Sequence, residues 1–275
     1  DYLANPEKFE KWGVKAKTGK ELEEQGLIYI ENEGGERFVL DRKDVFPIVR
    51  SPRQIRSYVF NQTTTLCLYT DNPGKYTSRY IEWGEKQRFN KRPTCRGRKP
   101  WYSLPKFNPT NILLPMSWLN IIYIPYCEEK TLCDHRLYAV YPAKNGTSPR
   151  SLWLYLNSTP FYVTAELFCR RLGGGGGATD IMVEDYEMMP TPNLSEIEID
   201  LGEAVLNRKP LVYYEEVKQP DRRELDKAVL RALGFPEDEL DKLVDKLHEA
   251  FVWVVEDRLI KAGRPMEGKE DGEDN

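Results

Sequence analysis

The chain has 275 residues, of which 40% are hydrophobic and 31% charged, and a formal net charge of −4. That is enough apolar material for a real core, and the balance argues against a uniformly basic nucleic-acid coat. No apolar stretch is long enough to span a bilayer and residues 1–30 lack signal-peptide order, so a cytoplasmic setting with no membrane partner is expected.

Taken in chain order, the sequence enters at Asp1 directly into Asn5-Pro6-Glu7-Lys8, as a piece of a longer protein or a trimmed N-terminus would. Residues 7–25 predict a short charged helix, and Gly34-Gly35 between Leu27–Glu31 and Arg37–Leu40 predicts a hairpin. A third strand is expected over Ser57–Tyr69 and a helix over Gly74–Gln87. Short apolar runs at Trp101–Leu104, Ile112–Met116, Ile121–Ile124 and Leu137–Tyr141 predict strands of a mixed or antiparallel sheet. Ser148-Pro149 and Thr159-Pro160 each place a cap before a helix-starting proline, so two helices should meet at Asn157-Ser158, the second running to about Arg171. Ile181–Val183 is one more strand candidate.

After Asn193 helices dominate. Asp221-Arg222-Arg223-Glu224 has the form of a capping box, with Gly234 as the stop. Pro236 opens a last helix, roughly 40 Å long if it reaches Ala262. The expected fold is α+β, a mixed β-sheet flanked by helices. The expected division is a recognition module over 1–193, a helical C-terminal extension over 194–262 and a disordered tail over 263–275.

Charge is distributed unevenly along this frame. Between Lys75 and Lys99 lie nine basic residues opposed only by Glu82 and Glu85, a net of +7. Lys91 to Tyr102 combines guanidinium groups with prolines and two aromatics, a composition suited to holding phosphates or guanine edges; the alternative is a solvated loop whose Trp101 and Tyr102 start a buried strand. Glu184–Glu203 carries seven acids and no Lys or Arg, so it should face away from a polyanion. The run Gly173–Gly177, flanked by Arg170 and Arg171, is either a linker or a loop whose amides approach a phosphate.

Catalytic signatures are sparse. No Gly-rich loop follows a strand, and no Asn-Pro-Pro-Tyr-type loop is present to hold a target amine, so no catalytic residue is assigned. Cys67, Cys95, Cys127, Cys133 and Cys169 are scattered and read as free thiols; zinc at Cys127, Cys133 and His135 departs from structural spacing, so no metal site is assigned. Glu216-Val217-Lys218 with Asp200 is the kernel of an alternative, a magnesium-dependent nuclease. A further alternative is a non-enzymatic module that docks another subunit through the sheet and the last helix.

Three stretches in order resemble the target-recognition and C-terminal region of adenine-specific DNA methyltransferases of type II, fused type IIG-like, restriction-modification enzymes. They are Tyr80-Ile-Glu-Trp-Gly-Glu85 with Arg92-Pro-Thr-Cys95 and Arg98-Lys-Pro-Trp-Tyr102; Leu156-Asn-Ser-Thr-Pro-Phe-Tyr162 through Glu166-Leu167, Arg170-Arg171 and the Gly run to Asp185-Tyr186 and Met189-Pro-Thr-Pro192; and Asp221-Arg-Arg-Glu-Leu-Asp226 with Leu233-Gly234 and Arg258–Ala262. The resemblance covers about residues 45–262 and implies recognition of double-stranded DNA whose target adenine is flipped by a methyltransferase domain N-terminal to it. That domain, with or without a fused nuclease, is the implied second partner. S-adenosylmethionine would bind there, and no cofactor is expected in these 275 residues. The DNA-binding residues implied are Arg79, Lys86, Arg88, Lys91, Arg92, Arg96, Arg98, Lys99, Trp101, Tyr102, Arg170, Arg171, Gly173, Gly174 and Gly175. Strands between Ile112 and Tyr141 would project base-reading side chains, and the helix pair from Pro149 to Arg171 would serve as scaffold.

Overall fold

Caps and turn residues start several elements of the computed structural model, which describes residues 7–61, 63–142, 146–171, 177–194, 199, 201 and 205–264. In chain order these are α1 (Glu7–Glu10), α2 (Gly19–Glu24), β1 (Leu27–Glu31), β2 (Arg37–Asp41), β3 (Val45–Val49), β4 (Val59–Phe60), β5 (Leu66–Leu68) and α3 (Lys75–Lys86). There follow β6 (Thr110–Pro115), β7 (Tyr126–Cys133), β8 (Leu137–Val140), α4 (Pro149–Leu156), α5 (Thr159–Phe168), β9 (Arg170–Arg171) and β10 (Thr179–Asp180). The chain closes with α6 (Val183–Met188), α7 (Tyr213–Glu216), α8 (Pro220–Ala232) and α9 (Leu240–Lys261). The fold class is α+β, as expected. Among the described residues no helix is long and apolar enough to cross a membrane.

Two compact units share the chain, one formed by residues 1–48 and 63–108, the other by 49–62 and 109–275. In the first unit β1 and β2 pair antiparallel, with Tyr29 opposite Val39. Their turn is set by Asn32, whose Oδ1 accepts the amides of Gly34 and Glu36 at 3.0 and 2.9 Å, and by Gly35 at φ +75°, where a side chain would be strained. β3 pairs antiparallel with β5, Val45 facing Leu68. A small core of Phe9, Val14, Leu22, Leu27 and Val39 lies under Trp12, Tyr29 and Tyr76.

In the second unit β4 runs parallel to β7, and β6 pairs antiparallel with both β7 and β8, giving a mixed sheet. The helix pair forms where the prolines predict it: Ser148 Oγ accepts the Arg150 amide at 3.2 Å, Ser158 Oγ that of Phe161 at 3.4 Å, and Asn157-Ser158 is the corner. One core holds Ile112, Ile124, Trp153, Tyr162 and Ile181 together with Leu206, Tyr213, Leu225, Phe251 and Val255. The helices beyond residue 194, expected as an extension, therefore share the core of this unit.

Several expectations are corrected. The helix over 7–25 is split by Gly13 at φ +71° and restarts at Thr18, whose Oγ1 accepts the Glu21 amide at 3.2 Å. The strand over 57–69 is two short strands that belong to different units, because a run of β-favouring residues does not reveal a turn within it. Trp101–Leu104 is no strand, and Ile121–Ile124 makes only a single bridge, Ile121 to Val212. Ile181–Val183 gives way to β10 just before it and α6 just after. The longest strand, β7, escapes the sequence pattern because exposed Glu128, Glu129 and Lys130 interrupt its alternation. The second helix stops at Phe168, and Arg170–Arg171 is extended. Asp221 does not cap α8; Gln219 occupies the cap without a side-chain bond, and Asp221 pairs with Arg208 instead.

Candidate nucleic-acid interface

The basic segment is built on α3, and α3 is fixed at its start by two aspartates from the β2–β3 connection. Asp41 Oδ2 accepts the amides of Tyr76 and Thr77 at 2.9 and 3.0 Å, and Asp44 Oδ2 accepts that of Gly74 at 2.7 Å. These bonds satisfy donors that a helix N-terminus leaves open, and the negative charge suits that end of the helix dipole. A Cβ at 74 would lie 2.3 Å from Asp41 Cγ, so a side chain there would displace the capping carboxylate. Thr77, Ile81 and Gly84 are buried, while Lys75, Arg79, Glu82 and Lys86 are exposed.

At the other end the chain turns sharply. Arg88 adopts the left-handed conformation, φ +61°, and a 3-10 turn follows over Phe89–Lys91. Beyond it the backbone closes on itself in successive turns: the amides of Cys95 and Arg96 both reach Arg92 O at 2.9 Å, and that of Arg98 reaches Cys95 O at 3.0 Å. Trp101 anchors the return. Its ring lies so close to Gly84 that a Cβ there would stand 3.0 Å from Cη2, and its Nε1 donates to Glu85 Oε1 at 2.9 Å. Beside this anchor Trp83 stacks on Tyr80 at 5.3 Å, meets Phe89 edge-on at 5.4 Å and donates Nε1 to Glu36 at 3.2 Å. The guanidinium of Arg92 covers Phe89 at 4.1 Å, which leaves its N–H edge available to an acceptor.

Lys86, Arg88, Lys91, Arg92, Arg96 and Lys99 are exposed and Arg98 is half-buried. None of these seven makes an ion pair among the described residues. Arg79 donates Nη1 to Trp12 O at 3.0 Å. Trp101 and Tyr102 are half-buried and pack on each other at 5.9 Å, with Trp101 serving as the anchor of the loop. Arg170 belongs to the other unit, and its charge is shared with the buried carboxylate of Asp185 at 3.2 Å. The side chain of Arg171 and all of Gly173, Gly174 and Gly175 lie outside the described residues.

The second unit holds a polar network that sequence reasoning did not assign. Asn157 is fully buried and fully bonded: Oδ1 accepts the Ile124 amide and the Tyr162 hydroxyl, and Nδ2 donates to Ile124 O and Trp153 O, all at 2.9–3.0 Å. Its carbonyl accepts from Arg222 Nη1, and Arg222 Nη2 donates to Tyr58 Oη and Glu216 Oε1, both at 2.8 Å. Four residues on, Asp226 accepts from Thr159 N and Oγ1 at 2.7 and 2.6 Å and faces His248 Nε2 at 2.7 Å. The Leu156–Tyr162 and Asp221–Asp226 stretches are thus two halves of one internal lock. A buried Arg and Asp four apart on the apolar stripe of α8 were the legible hint.

That lock engages the acid of the nuclease alternative. Burial alone would favour the neutral acid at Glu216, yet Arg208 at 2.7 Å and Arg222 hold its carboxyl down at about 2. Lys218 pairs with Glu215 at 2.7 Å rather than with a metal-binding acid, and Asp200 lies outside the described residues. At the zinc alternative the two thiols are engaged with backbone carbonyls: Cys127 Sγ donates to Asn61 O at 3.3 Å and Cys133 Sγ to Leu137 O at 3.5 Å. No group of three metal-ligating side chains occurs among the described residues.

Against this geometry stand the comparisons with known proteins. The family described as the type II methyltransferase M.Eco57I, C-terminal domain, matches residues 44–209, more than half of the chain. Among solved structures the type IIG restriction endonuclease BpuSI is similar, with a TM-score of 0.54 and 14% identity, over 81% of this chain and 27% of that one. At such low identity the likeness concerns the fold, and this chain spans about a quarter of the length of BpuSI. No curated protein sequence matches.

Proposed function

From the premise that the chain belongs to the family of the type II methyltransferase M.Eco57I C-terminal domain, we propose that it recognises double-stranded DNA for an adenine-specific methyltransferase of a restriction-modification enzyme. The observation that carries this reading is the loop Arg88–Lys99: exposed Arg88, Lys91, Arg92, Arg96 and Lys99 and half-buried Arg98, none ion-paired among the described residues, on a backbone fixed by the Trp101 anchor. A polyanion supplies the counter-charge this loop lacks, and a preset backbone lowers the ordering cost of binding. Arg is suited to phosphates and to the paired acceptors of guanine, whereas Lys positions the backbone.

On this reading methyl transfer belongs to a separate methyltransferase domain of the same enzyme, where S-adenosylmethionine would be held. The 275 residues contribute recognition, and the cytoplasm is the compartment where such a role is exercised. The sheet of the second unit and its lock of Asn157, Arg222, Glu216 and Asp226 maintain the scaffold.

A salt series with duplex DNA tests the loop. The variant with Arg92, Arg96 and Arg98 all changed to Gln should bind at least about tenfold more weakly, and its plot of log affinity against log salt should be shallower by about 0.9 for each phosphate that is no longer neutralised. Unchanged affinity and slope, in a variant with unchanged thermal unfolding, would refute the assignment.

A further inference from the structure

Resting on that reading, the geometry points to a longer phosphate-binding surface: the outer face of α3, with Lys86, Arg79 and Lys75 in a row and Lys11 on the segment bonded to Arg79, continues the basic loop as a rail for one strand of duplex DNA. Lys75, Arg79, Glu82 and Lys86 are spaced by four, three and four residues, which puts them on one face of a helix. All four are exposed, and Thr77, Ile81 and Gly84 turn inward. From Lys75 to Lys86 the helix rises about 17 Å, the axial span of about five phosphates of one strand.

A further cation flanks the row. Arg79 Nη1 reaches Trp12 O at 3.0 Å, and Lys11 Nζ stands 5.1 Å from the Trp12 ring centroid. Lys75 and Arg79 both approach the Tyr76 ring, each at 5.6 Å, and Tyr76 packs on the apolar core of this unit. These head groups thus rest on aromatic faces, and none of Lys11, Lys75, Arg79 or Lys86 is ion-paired among the described residues.

Helix electrostatics disfavour two of these placements. Lys75 is a cation at the positive end of the helix dipole, and Lys75 and Arg79 are like charges one turn apart; both placements cost helix stability. A row of phosphates removes both penalties. Glu82 is the one carboxylate on the stripe, so the rail can be strengthened as well as weakened.

The experiment is fluorescence anisotropy of the full 275-residue chain with a labelled duplex of about 30 base pairs, from about 50 to about 200 mM salt. Lys11→Gln with Lys75→Gln should weaken binding about tenfold at the low-salt end and make the salt slope shallower by about 1.8; Glu82→Lys should tighten binding several-fold and steepen the slope by about 0.9. None of these side chains lies in a core, so thermal stability should stay within about 1 kcal/mol of the unsubstituted chain. If affinity and slope stay put in both variants while neutralising Arg92, Arg96 and Arg98 still weakens binding, the rail is wrong and the recognition loop stands. If the unsubstituted chain shows no binding at the lowest salt, the recognition reading falls and the rail with it.

Discussion

Arginine is used in opposite ways in two regions of the chain, the basic loop of the first unit and the buried network of the second. In the first unit Arg88, Arg92 and Arg96 stand in solvent with no carboxylate partner among the described residues. In the second, Arg222 is 0% and Arg258 2% exposed; Arg222 is bonded to Glu216, Tyr58 and the Asn157 carbonyl, and Arg258 to Glu166 and the carbonyls of Gly177 and Leu119. A buried guanidinium must have its N–H groups bonded and its charge matched, so such an arginine is committed to the fold. An exposed one among other cations contributes little to folding and remains available to a ligand. The difference separates arginines committed to the fold from arginines left open to solvent within a single chain.

Breaking the lock should have the largest effect. Arg222→Ala leaves Glu216 buried with one of its two cations gone, and should destabilise the second unit by about 3–5 kcal/mol in urea unfolding. A cost of less than about 1 kcal/mol would erase the distinction between the two kinds of arginine. The same site predicts an acid transition. Because Glu216 is held at about 2, below the ordinary 4.5, the unfolded chain takes up its proton first; the stability it contributes is complete above about pH 5 and is lost as pH falls toward and through about 2. Glu216→Gln should remove that part of the acid dependence, read from urea midpoints measured between those limits.

In the first unit the strongest structural constraint is the α3 cap. Gly74→Ala would drive a Cβ into the Asp41 carboxylate, and should destabilise this unit by about 2 kcal/mol through displaced capping bonds. Hydrogen exchange at the Tyr76 and Thr77 amides should rise in step; protected amides there would show that Asp41 moves aside freely. Weakest of all should be Arg170→Ala. Its partner Asp185 is buried but the Arg170 side chain is 61% exposed, so the change should cost within about 1 kcal/mol in thermal unfolding. A larger effect would place Arg170 with the committed arginines instead.

Much of this was legible from residue order. The hairpin at Gly34-Gly35, the helix over Gly74–Gln87 and the corner at Asn157-Ser158 follow from turn and capping chemistry that acts within a few residues. The density of cations between Lys75 and Lys99 is likewise a property of the chain, and it identified the loop without coordinates. Where local signals were ambiguous, partners distant in the chain decided the outcome. Asp221 has the form of a cap, but Arg208 from outside the helix claims it at 2.9 Å. Glu216-Val217-Lys218 has the form of a metal-binding triplet, but Arg208 and Arg222 occupy its acid.

The sequence by itself determined where helices and turns start and which stretch carries unopposed positive charge, because those depend on neighbours along the chain. Only the tertiary structure decided which charges remain open. That outcome depends on carboxylates and hydroxyls brought in from far away: Glu166 to Arg258 across 92 residues, Tyr58 to Arg222 across 164. Spacing along the chain carries no record of such partners, so the buried lock became visible only once the elements were packed.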